Sequence, residues 1–303
     1  MKHLNINILF SRWPKLNGWK NQILWKICPT RMLQDTKIHF ENKGKDFQMY
    51  CMASQVLLFT LGRNWWKDNC AVISESTDPF LIFNENSQEE LNLERDRIIK
   101  LGHMIYGLKN LEGYKVFINS LKRGDLESDY FELRTANMLH EDGYNVRFVK
   151  ETGVKTADYD LHCKIIDEEF CVEAKSRRDG IILSEKTLTN TLKKAKGQLP
   201  KSMPCVIFVS IPYQWIQDAE AESIIESCIK NFLNNTKRIN FVIVAMHSLH
   251  NLEDGKIASV QYYLEYKNES PRIRLKINNL LKSIQPSADN VLKPNFEPSF
   301  WKE

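Results

Sequence analysis

Two short stretches, Thr156–Leu161 (TADYDL) and Cys171–Lys175 (CVEAK), decide how the middle of this 303-residue chain folds. Each has the length and character of a β-strand segment, and residues two apart in a strand point the same way. Glu173 and Lys175 are therefore predicted to share one face of their strand, and the two aspartates of the first stretch one face of theirs. If the strands pair as a hairpin, carboxylates from both converge on one point.

The flanking sequence predicts a regular alternation of helices and strands. Alternating apolar residues predict half-buried strands, continuous apolar runs predict buried ones, and 3.6-residue periodicity predicts helices. From Asp125 onward the predicted elements are a helix 125–140, strands 144–148, 158–166 and 170–175, a helix 183–198, a strand 204–211, a helix 218–233, a strand 241–245 and an edge strand 258–266. Two further helices are predicted before them, over about 87–108 and 114–121. This order predicts a mixed α/β fold.

The chemistry of the two stretches favours a divalent cation. Hard cations such as Mg²⁺ take oxygen ligands and keep several waters, which suits one or two carboxylates together with a substrate phosphate. A lysine beside such an ion can orient or deprotonate a water, while the ion polarises the scissile phosphate. Two acids and one lysine are sufficient for phosphodiester hydrolysis.

The wider segment resembles the PD-(D/E)xK, or restriction-endonuclease-like, nuclease superfamily over roughly residues 111–246. The residues that carry the resemblance are Phe131-Glu132-Leu133, Ala136, Leu139, Gly143-Tyr144-Asn145-Val146, Asp158 and Glu173-Ala174-Lys175. The resemblance implies an α-β-β-β-α-β core, with a mixed sheet flanked by helices. It leaves the first third of the chain unexplained, and we expect an N-terminal extension or small domain there. The resemblance also implies a nuclease that uses Mg²⁺ or Mn²⁺.

The resemblance assigns a role to each motif residue. Asp158 and Glu173 are implied to be the metal-binding carboxylates, with Ala174 among the metal-site residues. Lys175 is implied to be the catalytic lysine, and Glu132 the acid of the core helix that completes or supports the site. Alternatives remain from the residues alone: Glu173 and Lys175 suit a surface ion pair, and Glu132 suits a solvated helix position.

Three further residues have weaker expected roles. Asp160 is expected to support a ligand, and Gln198 to contact or position phosphate or simply to end its helix. Lys194, on the same predicted helix, is expected to contact nucleic acid. The main departure from the family motif is Ala157, which stands where the motif has proline. Proline there shapes the backbone and carries no chemistry, so the implied catalysis is unaffected.

Charge is unevenly distributed along the chain. Residues 1–67 hold eleven Lys or Arg and three acids, a net charge of +8, whereas the remainder holds 31 basic and 35 acidic residues, a net charge of −4. Five of the seven tryptophans, Trp13, Trp19, Trp25, Trp65 and Trp66, lie in the same stretch. Interleaved basic and aromatic residues can bind phosphates and stack on bases. We therefore expect Lys15, Lys20 and Lys26 to hold nucleic acid, against the alternative of tryptophans in a core below a solvated basic surface.

These features predict three regions: a basic, tryptophan-rich region 1–88, a nuclease-like domain 89–282 and a tail 283–303. Seven scattered cysteines without a CxxC pair suit a reducing compartment, so we expect a cytoplasmic protein. No apolar run approaches the roughly 18–20 residues that span a bilayer. The expected partner is nucleic acid, DNA before RNA. A non-catalytic nucleic-acid-binding or protein-interaction module, or a homo-oligomer or partner complex through the N-terminal region, remains the alternative.

Overall fold

A computed structural model describes the chain over residues 30–70, 79–81, 88–150, 152–154, 156–177, 184–212, 215, 219–251, 257–281 and 299–301. Its α-helices are α1 (Thr30–His39), α2 (Lys45–Thr60), α3 (Arg63–Cys70), α4 (Gln88–Gly107), α5 (Tyr114–Leu121), α6 (Leu126–Glu141), α7 (Glu185–Gln198) and α8 (Ala219–Asn234). Its strands are β1 (Asn145–Phe148), β2 (Leu161–Ile165), β3 (Glu168–Lys175), β4 (Cys205–Ser210), β5 (Ile239–Asn251) and β6 (Ile257–Lys267). The predicted α/β class and the predicted order of elements are confirmed.

The six strands form one mixed, open sheet in the order β1-β2-β3-β4-β5-β6. β1, β2 and β3 pair antiparallel, β3, β4 and β5 pair parallel, and β6 returns antiparallel as an edge strand. The carboxyl ends of β3, β4 and β5 therefore lie at one edge of the sheet. In open sheets with parallel strands, ligands bind at this edge.

Local sequence explains where α6 and β1 begin. The Asp125 carboxylate accepts a hydrogen bond from Ser128 N at 3.4 Å and caps α6. The helix ends before Gly143, whose φ of +90° is a conformation that L side chains rarely adopt. β1 then alternates exposed and buried residues, as a strand with one covered face must.

Both faces of the sheet are covered. Phe170, Val172 and Ala174 of β3 belong to a core that also contains α1 to α6, while Cys171 points into a second core formed with α7 and α8. The first core runs without a break across the boundary predicted near residue 88. Phe300, in the predicted tail, is fully buried in it.

The described part of the N-terminal region is helical and packs into this core. Trp65 and Trp66 are buried there, as the core alternative requires for these two tryptophans. Ten of the sixteen residues of α2 are buried, so its sequence lacks the one-sided pattern that marks an amphipathic helix. The other three tryptophans and Lys15, Lys20 and Lys26 lie outside the described residues.

Two further expectations concern membranes and thiols. Within the described residues, no helix has both the length and the apolar content needed to cross a membrane. The six described cysteines are buried free thiols.

Candidate active site at the carboxyl end of β3

Pairing on both sides of β3 fixes the positions of Glu173 and Lys175. β3 pairs antiparallel with β2 and parallel with β4, where Glu173 lies opposite Ile207 and Lys175 opposite Val209. Both side chains lie on the face covered by α7, and Lys175 ends the strand. The expected shared face of this pair is therefore present at the edge of the sheet where a ligand can enter.

Asp160 is tied directly to β3. Its backbone N donates to Val172 O at 3.2 Å, and its carboxylate oxygen Oδ2 accepts a hydrogen bond from Ala174 N at 2.7 Å. These two bonds hold the Asp160 carboxylate beside the end of β3. After burial, the charge of Asp160 contributes most to raising the pKa of Glu173.

Glu173 is a buried acid with an incomplete set of partners. Its side chain is 0% exposed and forms an ion pair with Lys175. Apart from that pair, its two carboxylate oxygens accept no well-aligned hydrogen bond within the described structure. Burial, and then the charge of Asp160, raise the pKa of Glu173 well above its usual value. The neighbouring charges of Glu173 and Asp160 outweigh the burial of Lys175 and raise the pKa of its ammonium group.

Glu132 reaches the same place from α6. Burial raises its pKa, and the charges of Asp160, Asp129 and Glu173 raise it further, whereas the charge of Lys175 lowers it. The Glu132 residue is half-buried, which lies between the solvated helix position of the alternative and a fully enclosed one. The structure thus brings together Glu132, Asp160, Glu173 and Lys175, which we call the acid–lysine cluster. Strongly perturbed titratable groups gathered in this way mark candidate functional sites.

Asp158 lies apart from the cluster. The strand predicted from residue 158 begins only at Leu161, because Thr156, at a φ of +73°, turns the chain just before it. The Asp158 carboxylate accepts hydrogen bonds from Thr152 N at 2.5 Å and Thr152 Oγ1 at 2.7 Å, and these bonds lower its pKa. The predicted start of this strand at Asp158 is therefore wrong, and the two-residue repeat of a strand does not apply to Asp158 and Asp160. Geometry assigns Asp160, and not Asp158, to the position beside Glu173.

The supporting residues have contacts that differ from the expected ones. Gln198 Nε2 donates to the Asp158 backbone oxygen at 3.1 Å, so it anchors the segment that leads into β2. Ala174 contributes its backbone N–H to Asp160, as described above. Lys194 is exposed on α7, where its expected contact with nucleic acid stays a prediction.

Sequence reasoning did not identify two neighbours of the cluster. Asp129 lies one helical turn before Glu132, and this i, i+3 spacing on a predicted helix was a usable signal. A small cavity of about 80 Å³ at the same edge of the sheet is lined by Arg97, Arg134 and His247 among others. These three come from α4, α6 and β5, so no local pattern could have joined them.

A divalent cation fits the donor set. Asp160 and Glu173 supply carboxylate oxygens, and apart from the contact with Lys175 the buried oxygens of Glu173 have no well-aligned hydrogen bond within the described structure. Among the described residues, no group of three or more His, Cys, Asp or Glu side chains is already arranged as a complete set of metal ligands.

The chain was also compared with known proteins. A scan against family models and a sequence search among characterised proteins both returned no match.

Proposed function

We propose that this chain is a Mg²⁺- or Mn²⁺-dependent nuclease built on a restriction-endonuclease-like core, with DNA as the first expected substrate and RNA as the second. The observation that carries the proposal is the convergence of Asp160, Glu173 and Lys175 at the carboxyl end of β3. Two carboxylates and a lysine in one half-enclosed site are the groups that phosphodiester hydrolysis requires.

Each residue of the cluster has a distinct task in this proposal. Asp160 and Glu173, with the adjoining Ala174 backbone, would hold the cation. When bound, the cation polarises the phosphate and lowers the pKa of a water. Lys175 is a cation with three N–H donors, so it can hold a phosphate oxygen or the attacking water in place. Glu132 closes the α6 side of the site and can accept a hydrogen bond from that water.

The experiment is a cleavage assay with a matched lysine control. Plasmid, linear and single-stranded DNA, and RNA, are each incubated with Mg²⁺, Mn²⁺ or EDTA. We expect cleavage with metal alone, reduced on the order of 10²-fold or more by Lys175→Ala. Lys164→Ala serves as control, because Lys164 is exposed on β2 and paired with Glu169 at 3.1 Å. Equal activity in Lys175→Ala and Lys164→Ala would remove Lys175 from the mechanism.

A non-catalytic nucleic-acid-binding module is the second candidate, and a strongly basic cavity described below favours it. It predicts binding in EDTA and no cleavage with any metal. Both candidate functions include the prediction that the basic region 1–67 binds nucleic acid. Neutralising Lys15, Lys20 and Lys26 together should weaken nucleic-acid binding and flatten its salt dependence, since each lost phosphate contact reduces counterion release.

A further inference from the structure

A cavity of about 330 Å³ lies far from the carboxyl end of β3, at the edge of the sheet where β4 and β5 begin. Its wall carries five basic side chains and no acidic one. The five are Lys196, Lys201, Lys237, Arg238 and Arg272. They come from α7, the segment before β4, the segment before β5 and the segment after β6.

Backbone contacts hold these segments together. A guanidinium nitrogen of Arg238 donates to the Lys196 backbone oxygen and joins β5 to the end of α7. Arg272 N donates to the Lys237 backbone oxygen at 2.6 Å. The buried amide of Asn268 donates to Thr236 O at 2.7 Å and to Ile239 O at 2.8 Å. The cavity is therefore a fixed feature of the fold, and its basic side chains are not scattered on independent loops.

The five cations lack internal neutralisation. None of them forms an ion pair with a carboxylate in the part of the chain that the structure describes. Like charges gathered in one place repel each other and destabilise the folded state. Lys201, Lys237 and Arg272 are exposed and could have been replaced by neutral residues without loss of packing. A cavity wall with five basic side chains and no acidic one attracts an anion.

We propose that this cavity binds the phosphate backbone of a nucleic acid as a second contact, away from the acid–lysine cluster. At about 30 Å³ per water, the cavity holds roughly eleven waters, enough for more than one phosphate group. Five cations likewise match a ligand with several negative charges. The inference rests on the proposed function in one respect, since it takes the ligand to be the nucleic acid that the cluster acts on.

The two sites lie at opposite ends of β4, so one extended ligand can contact both. Cys205, at the start of β4, pairs with Cys171, and Val209 pairs with Lys175. Four strand residues at about 3.3 Å each separate these levels by about 13 Å. This equals the axial rise of about four nucleotides at 3.4 Å per nucleotide. α7 links the sites physically, because it carries both Lys196 and Gln198, and Gln198 contacts the segment that leads to Asp160.

The test measures binding and not cleavage. Fluorescently labelled single- and double-stranded oligonucleotides are titrated with the full chain in EDTA at several salt concentrations. The cavity variant is Lys201→Gln, Lys237→Gln and Arg272→Gln combined. The control variant, Lys115→Gln, Lys122→Gln and Arg123→Gln combined, removes the same charge. Its three residues are exposed on or just after α5, which packs on β1, the edge strand on the other side of the sheet from β4 and β5.

We expect the cavity variant to bind at least 10-fold more weakly, with a salt slope smaller by about 2 to 3, at about 0.9 per lost phosphate contact on duplex DNA. The control variant should change the slope by less than one. Lys237→Glu alone should weaken binding in the same direction, and it provides a second variant if the triple one fails to fold. Equal binding by the cavity and control variants would overturn the proposal.

Competition with inorganic tripolyphosphate distinguishes a nucleic-acid backbone from a free polyphosphate as the ligand of the cavity. Its displacement of the oligonucleotide from the unmodified chain, together with weaker binding by the cavity variant, supports the proposal. If tripolyphosphate binds at the cavity while oligonucleotide binding is unchanged in the variant, the ligand is a free polyphosphate and the proposal fails. Because every titration is done in EDTA, a failure of metal-dependent cleavage leaves this result unaffected.

Discussion

Exchanging a carboxylate for an amide at two neighbouring aspartates tests the site assignment directly. Asp160→Asn removes the charge that the structure places beside Glu173, whereas Asp158→Asn removes a charge that lies in an exposed turn. Both changes keep the size of the side chain. The pair therefore separates participation in a cation site from general effects of charge loss in this segment.

The contacts of Asp160 set the expected effects of Asp160→Asn on the free energy of unfolding and on the cleavage rate. In Asp160→Asn the amide oxygen can still accept the 2.7 Å hydrogen bond from Ala174 N. This bond becomes weaker by about 1 kcal/mol, because a charged acceptor is replaced by a neutral one. Relief of repulsion with Glu173 offsets the loss, so the free energy of unfolding should stay within about 1 kcal/mol of its original value. Cleavage should fall on the order of 10²-fold or more, which is about 2.7 kcal/mol of transition-state stabilisation.

The assay compares initial cleavage rates with Mg²⁺ and thermal shifts with Mn²⁺ for the two variants. Asp158→Asn keeps an oxygen acceptor for the Thr152 contacts, and its rate should stay close to that of the unmodified chain. Asp160→Asn should lose both the rate and the Mn²⁺ shift while unfolding at nearly the same temperature without metal. Full activity in Asp160→Asn, with none in Asp158→Asn, would refute the assignment and return the cation to the position expected from the family motif.

Three further predictions concern buried groups. Glu173→Gln should lower the cleavage rate on the order of 10²-fold or more, because it removes a carboxylate of the proposed cation site; an unchanged rate would contradict this. Burial raises the pKa of Glu94 to about 7, so the free energy of unfolding should fall by about 3 kcal/mol as the pH rises from 4.5 through 7. Urea unfolding at several pH values should show a smaller decline for Glu94→Gln. Gly113→Ala would place a Cβ 2.1 Å from Phe148 O and should cost about 3 kcal/mol or more, against about 1 kcal/mol for Gly153→Ala in open space.

The elements from residue 88 onward could be predicted because their signals are local. A capping aspartate and a positive-φ glycine bound α6, and both residues can be identified in the sequence. β4 and the first part of β5 are continuous apolar runs, as strands covered on both faces must be. α2 was not predicted to be a helix, since burial on most sides removes the periodic pattern on which such a prediction depends.

The choice between Asp158 and Asp160 could not be predicted in the same way. A two-residue repeat gives both aspartates the same face as long as the strand includes them, so the result depends on where the strand begins. That point is set by a threonine at positive φ and by hydrogen bonds to another threonine, neither of which has a sequence signature. The family resemblance assigned the metal-binding carboxylate to Asp158. In the structure, the carboxylate that contacts the end of β3 belongs to Asp160, two residues later. The basic cavity was equally hidden, because its residues come from four separate segments.

The acid–lysine cluster and the basic cavity are best understood together. At one edge of the sheet, burial and the neighbouring carboxylates raise the pKa values of Glu173 and Glu132, although the ammonium group of Lys175 lowers both. At the other edge, five basic side chains share a cavity without a carboxylate. A divalent cation would bind to the carboxylates at the first edge, and phosphates to the basic side chains at the second. A nucleic acid that brings a divalent cation to one site and phosphates to the other satisfies both at once, which neither a metal alone nor a free anion does.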